Sequence, residues 1–245
     1  MQPWMSAPRS NTWLLVGNGP STSAKRLEQL SAWPSIAMNR ISLLFQDTDW
    51  RPSVYICTSS NVSNKHWRND VVLAVRESGT SFLSNDVYER VRFLLSPGDQ
   101  AKVGVVKTRH GSEILDVAPT EWWSDDPRLW VSKFGSSMLV AAQIATWLGG
   151  TDLHFLGIDQ GFRDAYGAGW LPGPVRNVLA RRSDINHFSP NYGTPGFRAR
   201  DLNTNMAAVH DLIARVGQER QWTLTNHSDV DSVSSYTWEP FVDDR

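Results

Sequence analysis

Short apolar runs rich in β-formers recur along the chain: "TWLLV" (12–16), "SIAM" (35–38), "SVYIC" (53–57), "VVLAV" (71–75), "KVGVV" (102–106), "LHFLGI" (153–158) and "WTLTN" (222–226). Between them lie stretches with helical spacing. Leu27 and Leu30 sit three apart; Met138, Ala141, Ala142, Ala145 and Leu148 line one face of a second segment; Leu202, Met206, Val209, Ile213 and Val216 line a third. This alternation predicts an α/β fold, a doubly wound and mostly parallel sheet with helices on both faces. Residues 160–200 break the rhythm with Gly, Pro, Asn and Arg, and a loop of that length is expected to serve as a lid. No internal repeat or low-complexity linker interrupts 1–245, so a single domain is expected.

Composition narrows the partners. With 24 basic and 25 acidic residues and no long charge run, nothing marks a nucleic-acid groove or an anionic membrane surface, and a small-molecule partner is expected. Cys57 is the only cysteine; its place in "VYIC" reads as a buried thiol and suits a reducing cytoplasm. The opening "MQPWMSAPRS" has no apolar signal core, and "MLVAAQIATWLGG" is too short and interrupted to span a bilayer, so the sequence reads as soluble and cytoplasmic. Twelve Trp residues, several in polar contexts, suit either a pocket wall or ordinary packing.

The first candidate site is "VGNGPST" (16–22). Gly17 and Gly19 permit a tight turn and close approach to a ligand, while Ser21 or Thr22 can cap the next helix and leave amide hydrogens for an anion. The loop lacks the Gly-Lys-Ser/Thr ending of a Walker motif. A dinucleotide fingerprint also fails, because its third glycine falls on Thr22 and the second apolar run ends in "MNR" without an acidic residue. Asn39 there offers an uncharged amide for a base or sugar edge.

Two further groupings carry chemistry. In "KFGSSMLVAAQIATWLGGTDLHFLGIDQGF" (133–162), Ser136 and Ser137 precede an apolar helix, and a strand then delivers Asp159 at its carboxyl end. The serines can cap the helix or bind a phosphate or sugar; Asp159 can act as base, ribose acceptor or acceptor for loop amides. In "NHFSPNYG" (186–193), His187 is the candidate general base. The other histidines suit structural roles, with His154 in a strand, His210 on a helix, and His66, His110 and His227 in polar turns. No His-Glu-x-x-His or Cys/His cluster predicts a protein-built transition-metal site, and no Gly-x-Ser-x-Gly elbow is present.

In order, "LLVGNGPS", "AMNR", "GSSMLVAAQIATWLGGTDLHFLGID" and "NHFSPNYG" resemble the superfamily joining the bacterial sialyltransferases of glycosyltransferase family 42 with the DUF115, or MptE-like, proteins. That superfamily includes motility-associated glycosyltransferases and an archaeal 6-hydroxymethylpterin diphosphokinase. The likeness covers about two thirds of the chain as scattered blocks and leaves 60–130 unmatched. It implies a Rossmann-like domain in which Gly17, Asn18, Gly19, Ser21 and Asn39 contact the donor, Ser136 and Ser137 lie beside it, His187 is the base, and Tyr166 or Tyr192 assists the departing phosphate. Arg163, Arg176, Arg181 and Arg182 in the lid stand where they can meet an anion, or be solvated.

The expected function is an inverting glycosyltransferase that moves a sugar, in the finer reading a sialic-acid-like nonulosonic acid from a CMP-linked donor, onto a glycan hydroxyl. Its partners are then a nucleotide sugar and a glycan acceptor, with no cofactor required and Mg2+ compatible. The alternatives are pyrophosphate transfer to a pterin, which calls for magnesium held by carboxylates, and a non-catalytic nucleotide- or glycan-binding module.

Overall fold

The computed structural model describes residues 3–110, 119–160, 187–192 and 203–241. In chain order its elements are α1 (Pro3–Ser6), β1 (Thr12–Val16), α2 (Ala24–Gln29), β2 (Ser35–Met38), β3 (Val54–Cys57), α3 (Lys65–Glu77), β4 (Thr80–Ser84), α4 (Asn85–Val91), α5 (Pro97–Gln100), β5 (Val103–Val106), β6 (Thr108–His110), α6 (Pro119–Trp122), β7 (Val131–Lys133), α7 (Ser137–Trp147), β8 (Asp152–Leu156), α8 (Asn203–Glu219), β9 (Thr223–Asn226) and β10 (Thr237–Trp238). Eight strands form one sheet in the order β10-β9-β8-β1-β2-β3-β4-β5, while β6 and β7 pair separately. Every described strand pair is parallel. The expected Rossmann-like α/β architecture is therefore observed.

Strand residues alternate between two cores because successive side chains point to opposite faces. Trp13 and Leu15 of β1, with Ile36 and Phe155, pack against α7 and α8; Leu14 and Val16, with Ala37 and Tyr55, pack against α2, α3 and α4. A sheet covered on both faces needs apolar residues on both, so β2 and β3 are buried at every position.

One expected strand is a helix. "VVLAV" (71–75) lies within α3, which starts where the Asn64 side chain accepts a hydrogen bond from the His66 amide at 2.9 Å. Trp67, Val71, Ala74 and Val75 enter the core at helical spacing. The strand of this region is instead β4, whose buried Thr80, Ser81 and Ser84 kept it from standing out as an apolar run. Cys57 is buried, and burial pushes its thiol pKa up. Among the described residues, no helix is long and apolar enough to cross a membrane.

Candidate functional site

The strand order reverses beside β1. Leu15 pairs with Ile36 of β2 on one side and Phe155 of β8 on the other, and the strands number outward in opposite directions from that junction. Loops leaving such a junction part and open a crevice at the carboxyl ends of the strands. Here the loops after β1 and β8 also lock together below it. The Gly17 amide donates to the Leu156 carbonyl at 2.7 Å, and the Gly19 amide to the Gly157 carbonyl at 2.9 Å. A Cβ on Gly17 would lie 2.3 Å from the Gly157 oxygen, and one on Gly19 2.0 Å from Asp159 Oδ2. The glycines are required first by this loop-to-loop contact.

A third loop joins the lock. Asp159 accepts from the Ser21 amide at 3.1 and 3.2 Å and from the Ser21 hydroxyl. The same hydroxyl oxygen accepts from the Asp229 amide at 2.8 Å, and Arg26 pairs with Asp229 at 2.5 Å. Of the three roles open to Asp159, this geometry is that of an acceptor for a neighbouring loop amide. The cap of α2 is Ser23, whose side chain accepts from the Arg26 amide, and not Ser21 or Thr22. Those two are drawn back into the loop, Thr22 donating to the Gly17 carbonyl at 3.1 Å, so the helix begins later than expected.

The opposite wall comes from β2, β7 and α7. Asn39, in the left-handed region at φ 55°, accepts on Oδ1 from the Ser137 hydroxyl at 3.2 Å. Its carbonyl accepts from the Tyr55 hydroxyl at 2.6 Å. Ser136 caps α7, accepting from the Met138 amide at 3.1 Å. Buried Gln143 fixes β7 against α7: its Oε1 accepts from the Ser124 and Ser132 amides at 3.1 and 3.0 Å, and its Nε2 donates to the Ser132 and Leu139 carbonyls at 3.0 and 2.9 Å. With its four hydrogen bonds made, this amide carries no burial penalty. It positions Lys133, whose Nζ donates to the Thr58 carbonyl and whose pKa burial lowers.

His187 reaches the crevice on a short tethered segment. The Phe188 amide donates to the Asn18 carbonyl at 3.0 Å, and buried Arg40 donates to the carbonyls of Asn191, at 2.8 Å, and Tyr192. Arg40 is itself paired with Asp70 at 2.6 Å. The His187 ring stacks on buried Tyr192 with centroids 3.9 Å apart and planes 9° from parallel, and Tyr192 meets the Trp67 ring edge-on at 5.6 Å. Burial raises the Tyr192 pKa strongly and keeps the phenol neutral. Tyr166 and the four lid arginines lie outside the described residues, as does most of the expected lid.

These pieces enclose a cleft of about 680 Å3. Its lining includes Gly17, Asn18, Gly19, Asn39, Ser136, Ser137, Asp159 and His187, so of the expected site residues that are described only Ser21 lies beneath it. A hollow of about 900 Å3 bordered by Asp211, Arg215 and Trp222 holds none of them. The sequence reading missed Trp67, Lys133, Met206 and His210 as lining residues. One signal was available for His210: it falls four residues after Met206, inside the apolar stripe of α8. Two buried polar atoms of the lining, Asn18 Oδ1 and His210 Nε2, find no hydrogen-bond partner among the described residues. Nor do three His, Cys, Asp or Glu side chains gather there as a metal site among the described residues.

No protein-family model and no curated protein sequence matches the chain. Solved structures do resemble it. The MAf glycosyltransferase from Magnetospirillum magneticum AMB-1 superposes with a TM-score of 0.55 at 18% identity, over 96% of this chain and 34% of that one. The sialyltransferase CstII from Campylobacter jejuni, in complex with cytidine-5'-monophosphate, gives 0.46 at 11% identity over 95% and 86%. The α-2,3-sialyltransferase Cst-I from the same organism gives 0.47 at 12% identity over 95% and 80%. The likeness to MAf is one of fold, and this chain spans about a third of that protein's length. Fold and cleft together define a Rossmann-like α/β domain with its candidate site at the β1/β8 switch point.

Proposed function

We propose that this chain is a glycosyltransferase domain that binds a nucleotide-activated sugar across the carboxyl edge of its sheet and transfers the sugar to a hydroxyl, with His187 as general base. One observation carries the reading. Residues as far apart in sequence as Gly17, Asn39, Ser137 and His187 converge on a single cleft at the switch point, where doubly wound folds bind ligands. Asn18 Oδ1, buried in that lining and without a partner among the described residues, is an acceptor that suits a hydroxyl-rich ligand.

In this mechanism His187 takes the proton of the acceptor hydroxyl while the new glycosidic bond forms at the anomeric carbon and its bond to the phosphate breaks. Lys133 is the cationic side chain among the described lining residues and supplies charge for the departing phosphate. The finer reading, a CMP-linked nonulosonic acid as donor, rests on the motif resemblance and requires no metal step.

A calorimetric panel with CMP, CDP, UDP, GDP, GTP and ATP, each with and without magnesium, tests it. Preferential binding of CMP with or without magnesium supports the proposal; binding of GTP or ATP alone, dependent on magnesium, would replace it with pyrophosphate transfer. His187→Ala is expected to lower turnover by about 10²–10⁴-fold with nucleotide affinity retained. Full turnover in that variant removes the base assignment.

A further inference from the structure

Resting on that reading, we infer that His210 recognises the nucleoside end of the donor, giving a hydrogen bond from Nε2–H to an acceptor atom of the nucleobase. The argument starts from the two faces of the sheet. His187 is held on the side of α3, through Tyr192 and Trp67, whereas His210 rises from α8 on the other face and packs edge-on to Phe155 at 6.1 Å. Both border the same cleft. A base must lie within hydrogen-bond reach of the hydroxyl it deprotonates, and that hydroxyl attacks the anomeric carbon. The sugar therefore occupies the His187 end, and the nucleoside beyond the phosphate extends toward α8, where Met206 and Ile158 offer apolar contact beside His210.

The proton on His210 can be placed. Its Nδ1 lies 2.9 Å from the Tyr236 hydroxyl, and Tyr236 is buried. This is the only hydrogen bond the phenol makes among the described residues, so a hydrogen on Nδ1 would leave the phenol proton buried and unbonded. The phenol therefore donates to Nδ1, and the ring hydrogen sits on Nε2, on the opposite edge. Nε2 is buried and has no hydrogen-bond partner among the described residues. Burial lowers the His210 pKa to about 4, so at neutral pH the imidazole is an uncharged donor. A neutral donor suits an uncharged base edge and leaves the phosphate to Lys133. Nothing in the reaction itself uses His210, which acts as a specificity residue for the leaving nucleotide.

The test combines binding and spectroscopy on the whole chain, with CMP as probe. In 15N-histidine NMR of the wild type, His210 should appear as the Nε2–H tautomer at pH 7, and its Nε2 resonance should move when CMP is added. His210→Phe should weaken CMP about tenfold, the worth of one buried hydrogen bond. Tyr236→Phe, which frees Nδ1 to take the proton and turns Nε2 into an acceptor, should weaken CMP as well. Absence of CMP binding to wild type would defeat the nucleotide-sugar reading itself. Tight binding to wild type with no shift at His210, or with equal affinity in a folded His210→Phe variant, would overturn the inference and leave that reading standing.

Discussion

The floor and the walls of the cleft spend their polar groups differently. On the floor, Ser21, Asp159, Thr22 and Asp229 bond one another or the backbone, and glycines stand where a methyl group would strike a carbonyl. On the walls, Asn18 Oδ1 and His210 Nε2 are buried and have no partner among the described residues. An unpaired buried polar atom costs about 1–3 kcal/mol, which a ligand repays by bonding it. The floor thus holds the loops in place whether or not anything is bound, and the walls carry recognition. The comparison shows that a glycine-rich turn at a switch point can owe its glycines to packing between loops before any phosphate is considered.

Several substitutions would break that division if it is mistaken. The largest expected effect is on the floor. Gly17→Ala drives a Cβ against the Gly157 carbonyl and should cost about 3 kcal/mol in urea unfolding. If the variant kept full stability and lost only ligand affinity, the floor would belong to recognition after all.

Next in size is a pH effect from the wall. The unfolded chain takes up the His210 proton near pH 6.5, whereas the folded protein refuses it until about pH 4. Stability is therefore complete above pH 6.5 and should fall by about 3 kcal/mol as the pH drops through that window, because the unfolded state then binds more protons. Burial lowers the His227 pKa too and adds to the slope in the same direction. His210→Phe should flatten the stability profile between pH 6.5 and 4, and an unchanged slope would show that His210 titrates normally. The smallest effect is at a capping residue: Ser136→Ala should cost about 1 kcal/mol in unfolding and leave nucleotide affinity within twofold. A larger loss of affinity than of stability would give Ser136 to the ligand.

Local pattern was informative where burial was uniform. The runs that became β1, β2, β3, β5, β8 and β9 are legible because a parallel sheet covered on both faces needs apolar side chains at nearly every position. The same logic misled at "VVLAV", where α3 buries a helical face through residues that also suit strands. It missed β4, where Thr80, Ser81 and Ser84, three of the five residues, are buried hydroxyl side chains.

The site divides along the same line. Gly17, Asn39, Ser136 and His187 were legible as candidates because turns, helix starts and an isolated loop histidine leave local marks. Arg40 and Lys133 left none, and His210 left only its place four residues after Met206 in an apolar stripe. Arg40 looked like the tail of an apolar run, yet it clamps the segment bearing His187, and Lys133 gains its place through Gln143, ten residues later. By itself the sequence determined the alternating elements, the glycine turn and the candidate base, since these follow from local propensity and hydrophobic period. Only the tertiary structure decided which polar groups are consumed by other loops and which stay unpaired at the cleft, because hydrogen-bond partners 138 residues apart, as Ser21 and Asp159 are, meet only when the sheet brings their loops together.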